Sequence, residues 1–274
     1  MPTREPSSQP LLQRRDGAVL VLSNNNPAAR NALSPEFYAA LTAALHGAAT
    51  DASVGAIVLT GEGGHFCAGG NLRQLQHRRE LPPAARRLKL EGLHNLIRAL
   101  RDCPKPVIVA VEGAAVGAGL SLALAGDMLV AARDAVFSVA YVKIGLTPDG
   151  GATALLAEFL SRQILTELCL TGAPVSGTRM HELGVVNRLA APGQALDSAL
   201  ELAHDVASGP ELAMARIKHL CRAAPYNSLE QQLELEALYM PLSQGTEESR
   251  EGIAAFLEKR AADYTALRTR SPSS

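Results

Sequence analysis

The stretch KPVIVAVEGAAVGAG, residues 105–119, decides the fold class of this chain. Val107–Val111 is a continuous apolar run, which indicates a strand buried on both faces. Pro104 and Pro106 stop the helix that precedes this strand, because proline cannot continue a helix. The glycines after the strand predict a tight turn and a helix that begins at Gly117–Gly119. A buried strand set between two helices is typical of an α/β protein.

Strand and helix patterns alternate on both sides of this stretch. Ala18–Ser23 and Ala56–Thr60 are short aliphatic and β-branched runs, and a further strand is expected near Ala135–Val139. Ser34–Ala49 and Leu88–Leu100 carry apolar residues at helical spacing. Beyond about residue 150 the pattern becomes mainly helical. The predicted helices there are Ala152–Leu160, Gln163–Leu170, Gln194–Ser208, Glu211–Arg222, Ser228–Tyr239 and Glu247–Ala261.

The length of 274 residues fits one large domain with a smaller helical addition. Residues 1–10 lack the apolar segment of a secretory signal and are expected to form a disordered lead-in. We predict the α/β core at 11–200 and a helical region at 201–267. Residues 268–274 are polar and are expected to be a flexible tail.

The charge balance excludes several classes of partner. Lys and Arg total 26 against 27 Asp and Glu, so the chain offers no general attraction to nucleic acid or to an anionic membrane. The longest apolar candidate for a membrane segment, Val107–Ala132, is interrupted by Glu112 and Asp127. The four cysteines have no CxxC spacing, which argues against a zinc site or a disulfide framework. We therefore expect a cytoplasmic protein without a metal.

Three glycine-containing loops, at residues 65–72, 112–119 and 145–151, border apolar strands. Glycine allows a backbone to approach a ligand closely. The spacing of the second loop departs from the GxGxxG motif of dinucleotide sites, and the loop lacks the GKS or GKT end of a phosphate-binding loop. The remaining chemical feature is a helix start at Ala118–Gly119, whose free N–H groups are able to bind an oxyanion.

Six segments together resemble the enoyl-CoA hydratase/isomerase (crotonase) superfamily, in the order that the family shows. The resemblance extends from about Leu12 to Tyr264. It implies an α/β fold, a crotonase-like spiral of ββα units, followed by a C-terminal helical region that mediates trimerisation, with hexamers common. The segments are Asn31-Ala32-Leu33, Phe66–Leu72, Lys105–Gly119, Gly145–Gly151, Gly184-Val185-Val186 and Glu251–Arg260.

The resemblance also implies a substrate and a way to hold it. In this family two backbone N–H groups bind the carbonyl oxygen of an acyl-CoA thioester, and by motif they match Gly70 and Ala118. The coenzyme A portion is bound near Ala68 and by residues of a neighbouring subunit that match Phe256 and Lys259. Coenzyme A is then part of the substrate, and no tightly bound cofactor is expected.

The acid/base residues depart from the pattern of hydratases. Two glutamates activate water in those enzymes, and their positions match Ser121 and Tyr141 here. Neither residue replaces a carboxylate near neutral pH. From the turn pattern alone, Asp149 is typical of a residue that accepts local backbone hydrogen bonds. Isomerase-type members, however, carry their acid at this position, so the resemblance favours Asp149 as a catalytic acid/base.

These observations predict double-bond isomerisation of an enoyl-CoA, with Asp149 as the single acid/base and an oxyanion hole that stabilises the enolate. Hydration or hydrolysis at the same site is an alternative, and a non-catalytic acyl-CoA-binding homologue is another. Ser121 is either a small helix residue or part of the site, and Tyr141 serves in packing or as a hydrogen-bond donor. The acyl group and the choice between trimer and hexamer stay open.

Overall fold

The computed structural model describes residues 9–268. Within that range the chain forms nine strands and twelve α-helices. The strands are β1 (Leu11–Asp16), β2 (Val19–Asn24), β3 (Ala56–Gly61), β4 (Val107–Val111), β5 (Ala114–Val116), β6 (Met128–Ala132), β7 (Val136–Ser138), β8 (Val175–Ser176) and β9 (Arg188–Ala190). The helices are α1 (Pro35–Thr50), α2 (Leu72–Arg78), α3 (Pro83–Asp102), α4 (Ala118–Leu124), α5 (Ala152–Ala157), α6 (Arg162–Thr171), α7 (Gly177–Glu182), α8 (Ala195–Ala207), α9 (Glu211–Ala223), α10 (Leu229–Gln244), α11 (Glu247–Glu258) and α12 (Tyr264–Arg268).

The strands form two sheets. The larger has the order β1-β2-β3-β4-β6-β9, in which β1 and β2 are antiparallel and the other pairs are parallel. The smaller has the order β5-β7-β8. Parallel neighbours need crossover segments, and the helices supply them. The prediction of an α/β fold with a C-terminal helical region is confirmed.

Strand β4 lies inside the larger sheet, and both of its faces are buried. Val107, Val109 and Val111 face the main core, whereas Ile108 and Ala110 face a second core that helix α8 covers. Because successive side chains of a strand point to opposite faces, this five-residue run has to be apolar throughout. The apolar run that predicted the fold class is therefore explained by the burial of β4 on both faces.

Several elements differ from the sequence prediction. Strands β1 and β6 and helix α2 were not predicted. In β1 only Leu11 is buried, so the strand lacks a clear alternation of apolar and polar residues. Helix α3 begins at Pro83, five residues before the predicted Leu88, because proline fits the first turn of a helix. Helix α1 begins as predicted after Ser34, whose hydroxyl accepts a hydrogen bond from the Phe37 amide at 3.2 Å.

The prediction of flexible ends is wrong for residues 9, 10 and 268, which the structure describes as ordered parts of the fold. Arg268 is buried at the end of α12, and its guanidinium donates to the carbonyl oxygens of Ala207 at 2.6 Å and Gly209 at 3.2 Å. At the other end, Asn25 donates from its side chain to the Gln9 carbonyl and from its amide to the Pro10 carbonyl. The remaining residues of the predicted lead-in and tail, 1–8 and 269–274, lie outside the described residues.

None of the helices within residues 9–268 combines the length and the apolar character needed to cross a lipid bilayer. In the same part of the chain, no group of three His, Cys, Asp or Glu side chains is arranged to hold a metal ion.

Candidate active site

The first two glycine loops lie side by side. Cys67 forms a parallel bridge with Ala115, and its amide donates to the Ala114 carbonyl at 2.8 Å. Gly69 has a φ of +94°, and a Cβ at this position would lie 2.6 Å from the Val116 carbonyl oxygen and 3.6 Å from the Ala118 amide nitrogen. Only glycine fits this contact. The two loops therefore approach each other at backbone level.

Each loop presents a backbone amide that is free to bind a ligand. Gly70 follows Gly69, whose carbonyl accepts from the Leu33 amide at 2.8 Å and thereby holds the loop in place. Ala118 is the first residue of α4, where an amide has no partner inside the helix. Among residues 9–268, neither the Gly70 nor the Ala118 amide donates a hydrogen bond. Two such donors on adjoining loops are suited to binding one negatively charged oxygen.

Asp149 lies in the turn before α5, and two side chains hold it. The Tyr141 hydroxyl donates to Asp149 Oδ1 at 2.8 Å. The Ser121 hydroxyl donates to the main-chain carbonyl of Asp149 at 2.9 Å. The structure thus brings Asp149 together with Ser121 and Tyr141, the two residues that match the hydratase glutamates by motif. Tyr141 packs in the main core and its hydroxyl also donates a hydrogen bond, so both features considered for it are present. A part for Tyr141 in catalysis stays a prediction.

The turn that carries Asp149 packs tightly against α4. Gly150 has a φ of +59°, and an added Cβ would lie 2.9 Å from Ser121 Cβ and 3.1 Å from Leu93 Cδ2. Both the backbone conformation and the space therefore require glycine. Leu93 belongs to α3, so α3 and α4 together fix the position of the acid.

Burial raises the pKa of the Asp149 carboxyl above its usual range. The hydrogen bond from Tyr141 opposes this change, as do the charges of His94 and Arg78. The Asp149 carboxylate forms no salt bridge within residues 9–268. An acid whose pKa moves towards neutrality is suited to taking up and releasing a proton. Burial also raises the pKa of Tyr141, so its phenol stays protonated and donates.

Three polar residues near Asp149 were missed by the sequence analysis. They are Tyr38 on α1, Arg78 at the end of α2 and His94 on α3. Burial first, and then the Asp149 charge, raises the pKa of Tyr38 to about 12. No local pattern identifies these residues, because their spacing along the helices is that of ordinary partly exposed positions. Their electrostatic effect on Asp149 arises only in the folded chain, where α1 packs on α3 and Leu93 of α3 lies against the turn.

The predicted coenzyme A residues lie on different elements of the chain. Ala68 lies in the first loop, and its amide donates to the Arg30 carbonyl at 2.9 Å. Phe256 is 83% exposed on α11, and Lys259 ends that helix with a φ of +56°. Helix α11 packs against α10 and α12. The expectation that Phe256 and Lys259 serve a neighbouring subunit stays a prediction.

The fold and site define a class of α/β protein that combines free backbone amides on two adjoining glycine loops with a half-buried acid. Comparison with known families gives its identity, because the family described as enoyl-CoA hydratase/isomerase matches residues 14–267. The chain belongs to the enoyl-CoA hydratase/isomerase family. It is an acyl-CoA-processing enzyme of that family, and the resemblance identified from its motifs is confirmed.

Individual relatives match over nearly their whole length. The 1,2-epoxyphenylacetyl-CoA isomerase of Escherichia coli K12 is 36% identical over 93% of this chain and 98% of its own. The 2,3-dehydroadipyl-CoA hydratase of the same organism is 32% identical over 93% of this chain and 98% of its own. A crystal structure of an enoyl-CoA hydratase from Polaromonas sp. JS666 is 45% identical, with a TM-score of 0.90, over 92% of this chain and 98% of the other. The names of the relatives therefore include an isomerase and hydratases.

Proposed function

We propose that this enzyme moves the double bond of an enoyl-CoA, with Asp149 as its single acid/base. One observation carries the proposal: Asp149 is a half-buried carboxyl that accepts a hydrogen bond from Tyr141 at 2.8 Å, and burial raises its pKa. By the motif match, Ser121 and Tyr141 occupy the positions at which a hydratase carries its glutamates. A shift of a double bond by one position requires a single group that removes and returns a proton. Hydration requires a group that activates water and another that protonates carbon.

The proposed reaction proceeds in two proton transfers. The Asp149 carboxylate takes a proton from carbon 2 of a 3-enoyl-CoA, and the electron pair of that C–H bond delocalises to the thioester oxygen. The Gly70 and Ala118 amides stabilise the resulting dienolate, and one such donor contributes roughly 3 kcal/mol. The Asp149 carboxyl then returns its proton to carbon 4, which leaves the double bond between carbons 2 and 3. No atom is gained or lost.

Hydration is the second candidate. The relative named 2,3-dehydroadipyl-CoA hydratase favours it. In that reaction the Asp149 carboxylate would position and deprotonate a water molecule. Neither the Ser121 hydroxyl nor the Tyr141 phenol, whose pKa burial raises further, is a base near neutral pH.

Coenzyme A enters this proposal as part of the substrate, bound near Ala68. The proposed assembly is a homotrimer or a hexamer built from trimers, through the C-terminal helices. Exposed apolar side chains on α9, α10 and α11 support this, since such surfaces mark contacts between proteins. They include Ile217, Leu229, Leu238, Met240, Phe256 and Leu257.

Mass spectrometry separates the candidates. Crotonyl-CoA and 3-hexenoyl-CoA are incubated separately with the enzyme and with its Asp149→Asn variant, and the products are resolved by chromatography. Isomerisation converts 3-hexenoyl-CoA to 2-hexenoyl-CoA at unchanged mass and leaves crotonyl-CoA without hydration. A product heavier by one water from either substrate contradicts the proposal and favours the hydratase. Tight binding of both without any product favours a non-catalytic homologue.

A further inference from the structure

Asn31 is fully buried, and the reaction proposed above gives it no part. It belongs to a short stretch between β2 and α1, residues 30–33, which we call the asparagine segment. Its φ is +58°, in the left-handed region that asparagine adopts more readily than most residues. Burial of a carboxamide is unfavourable unless the group finds hydrogen-bond partners inside the chain.

All the polar groups of Asn31 have such partners. Its Nδ2 donates to the carbonyl oxygens of Glu62 at 2.8 Å and His65 at 2.6 Å, and its Oδ1 accepts from the Asn26 amide at 2.9 Å. Its own amide donates to the Asn26 carbonyl at 2.8 Å, and its carbonyl accepts from Asn24 Nδ2 at 2.9 Å. An asparagine side chain offers two donor hydrogens and one acceptor oxygen, and each is used. Asn31 thereby joins the end of β2 to the chain that follows β3.

The asparagine segment also binds the first glycine loop. On one side of the asparagine, the Arg30 carbonyl accepts from the Ala68 amide at 2.9 Å. On the other side, the Leu33 amide donates to the Gly69 carbonyl at 2.8 Å, and Leu33 forms a parallel bridge with Gly70. The segment is therefore bonded along the loop up to the residue whose amide is proposed to bind the thioester, while the carboxamide binds the start of that loop.

The two glycine loops are held in different ways. Residues 62–71 lie between β3 and α2 and belong to neither. In the second loop, Ala118 begins α4, and the Gly117 amide donates to the Ser138 carbonyl of β7 at 2.9 Å. A helix and the smaller sheet therefore fix the Ala118 amide. The position of the Gly70 amide depends instead on contacts with the asparagine segment and with β5.

The Asn31 carboxamide is closely packed against the start of the first loop. A Cβ added to Gly61, the last residue of β3, would lie 2.7 Å from Asn31 Nδ2 and 2.5 Å from the Phe66 carbonyl oxygen. Glycine at this position leaves room for the carboxamide to reach the carbonyl groups of the loop. A fully bonded polar group in such close packing favours a single arrangement of the segments it joins.

We propose that Asn31 is a positioning residue of the candidate oxyanion hole. Its carboxamide holds the first glycine loop so that the Gly70 amide lies within hydrogen-bond distance of the thioester oxygen that the Ala118 amide also binds. Asn31 acts through the loop and does not touch the substrate. A donor stabilises an oxyanion only when its geometry fits, so displacement of the loop by about 1 Å would weaken it. This inference rests on the proposed function in taking these two amides as the donors.

The test observes the hydrogen bonds to the thioester directly. Hexanoyl-CoA, isotopically labelled at its carbonyl carbon, is bound at saturation to the full-length enzyme, and infrared difference spectroscopy measures the carbonyl stretch. Hydrogen-bond donors polarise the carbonyl, so the band should lie at lower frequency than in water. Asn31→Gly keeps the left-handed backbone and removes the carboxamide. It should abolish about half of that shift, because one of two donors is displaced, and weaken binding by less than about tenfold.

The matched control is Asn187→Gly. The Asn187 side chain also binds a main-chain group, because its Oδ1 accepts from the Leu129 amide of β6 at 2.7 Å, and it should leave the carbonyl band unchanged. Thermal melting measures the stability of each variant, and spectra are recorded well below the lowest melting temperature. If Asn31→Gly does not fold, Asn31→Asp replaces it in the test. That variant keeps the size of the side chain and the acceptor for the Asn26 amide, but its carboxylate cannot donate.

The outcomes separate positioning from general stability. A residue that only stabilised the fold would lower the melting temperature without moving the band of the bound ligand. A band that keeps its full shift without the Asn31 carboxamide therefore overturns the inference and leaves the oxyanion hole supported. An equal loss of shift in Asn187→Gly also overturns it. The absence of any shift in the unaltered enzyme contradicts the proposed oxyanion hole itself, and the inference with it. Because hexanoyl-CoA is saturated, no result depends on whether Asp149 isomerises double bonds.

Discussion

Two partly buried polar clusters in this chain differ in the partners of their carboxylate. The acid cluster consists of Ser121, Tyr141 and Asp149, in which the carboxylate is paired with a neutral phenol. The ion-pair cluster consists of Lys105, Glu211 and Arg268. Its lysine is 1% exposed and pairs with Glu211, which also meets the Arg268 guanidinium at 3.2 Å.

The difference shows that the surroundings of a carboxylate determine whether its charge is balanced by cations. Glu211 is bound by two cations, so its charge stays neutralised, and the ion-pair cluster joins the C-terminal helices to the start of strand β4. Asp149 has no such partner among the described residues and resists ionisation because it is buried. Removing one partner of an ion pair leaves an uncompensated charge between the joined elements, whereas an acid without a cationic partner is available for proton transfer.

The largest expected effect comes from removing the carboxylate that has no cationic partner, Asp149. Asp149→Asn should lower kcat for 3-hexenoyl-CoA by about 10³-fold, because the amide cannot accept the proton. Formation of the conjugated 2-enoyl thioester is followed by absorbance, and binding of hexanoyl-CoA serves as the control. That binding should change by less than about twofold. A variant that keeps a tenth of the original rate excludes Asp149 as the acid/base.

The same substitution should not weaken the fold. The folded-state pKa of Asp149 lies above the ordinary value of 3.8. The buried charge therefore disfavours folding above the folded-state pKa, and that penalty disappears as the pH falls below 3.8. At pH 7 Asp149→Asn should unfold at an equal or higher temperature than the original enzyme, with the difference shrinking in acid. A clear loss of stability at pH 7 would contradict the comparison of the two clusters.

Breaking the ion-pair cluster should affect stability and leave the chemistry intact. Lys105→Met leaves Glu211 with one cation and should lower the free energy of unfolding by about 3 kcal/mol, since removal of one partner of a buried pair is strongly destabilising. Urea unfolding measures the change, with the exposed Lys89→Met as control. kcat per folded molecule should stay the same. If Lys105→Met lowers the free energy of unfolding by no more than Lys89→Met does, the ion-pair cluster does not stabilise the fold.

Tyr141→Phe tests whether the hydrogen bond from Tyr141 sets the pKa of Asp149. The hydrogen bond from Tyr141 lowers the pKa of Asp149, so its loss should raise that pKa further. The acidic limb of the profile of kcat/KM against pH should then move to higher pH, and the rate at pH 7 should fall about tenfold. If the acidic limb does not move, whatever the change in rate, the hydrogen bond from Tyr141 does not control the pKa of Asp149.

Ser121→Ala has the smallest expected effect. Its hydroxyl donates to the main-chain carbonyl of Asp149 and lies 3.4 Å from the Tyr141 hydroxyl, and within residues 9–268 it forms no hydrogen bond to the carboxylate group. The loss should cost about 1 kcal/mol of stability, measured by urea unfolding. The pH profile should not move. A displaced acidic limb would mean that Ser121 acts on the Asp149 carboxyl after all.

Part of the site could be predicted from sequence because its signals are local. The glycines near Gly70 and Ala118 follow apolar strands, and Asp149 lies in a turn whose neighbouring glycines mark it. The resemblance to the family then assigned these positions a chemistry. Tyr38, Arg78 and His94 could not be found this way, since each stands in a helix without any local feature that distinguishes it.

By itself, the sequence determined the buried central strand, the glycine loops and the family, because apolar periodicity and glycine placement act over a few residues. The tertiary structure alone decided the partners of each carboxylate. Ser121 and Tyr141 reach Asp149 only after α4 and the following turn have packed, and Lys105 meets Glu211 across 106 positions of the chain. Burial and charge at a carboxylate depend on everything that surrounds it in space, and this is why packing decided which carboxylate pairs with cations and which with a neutral phenol.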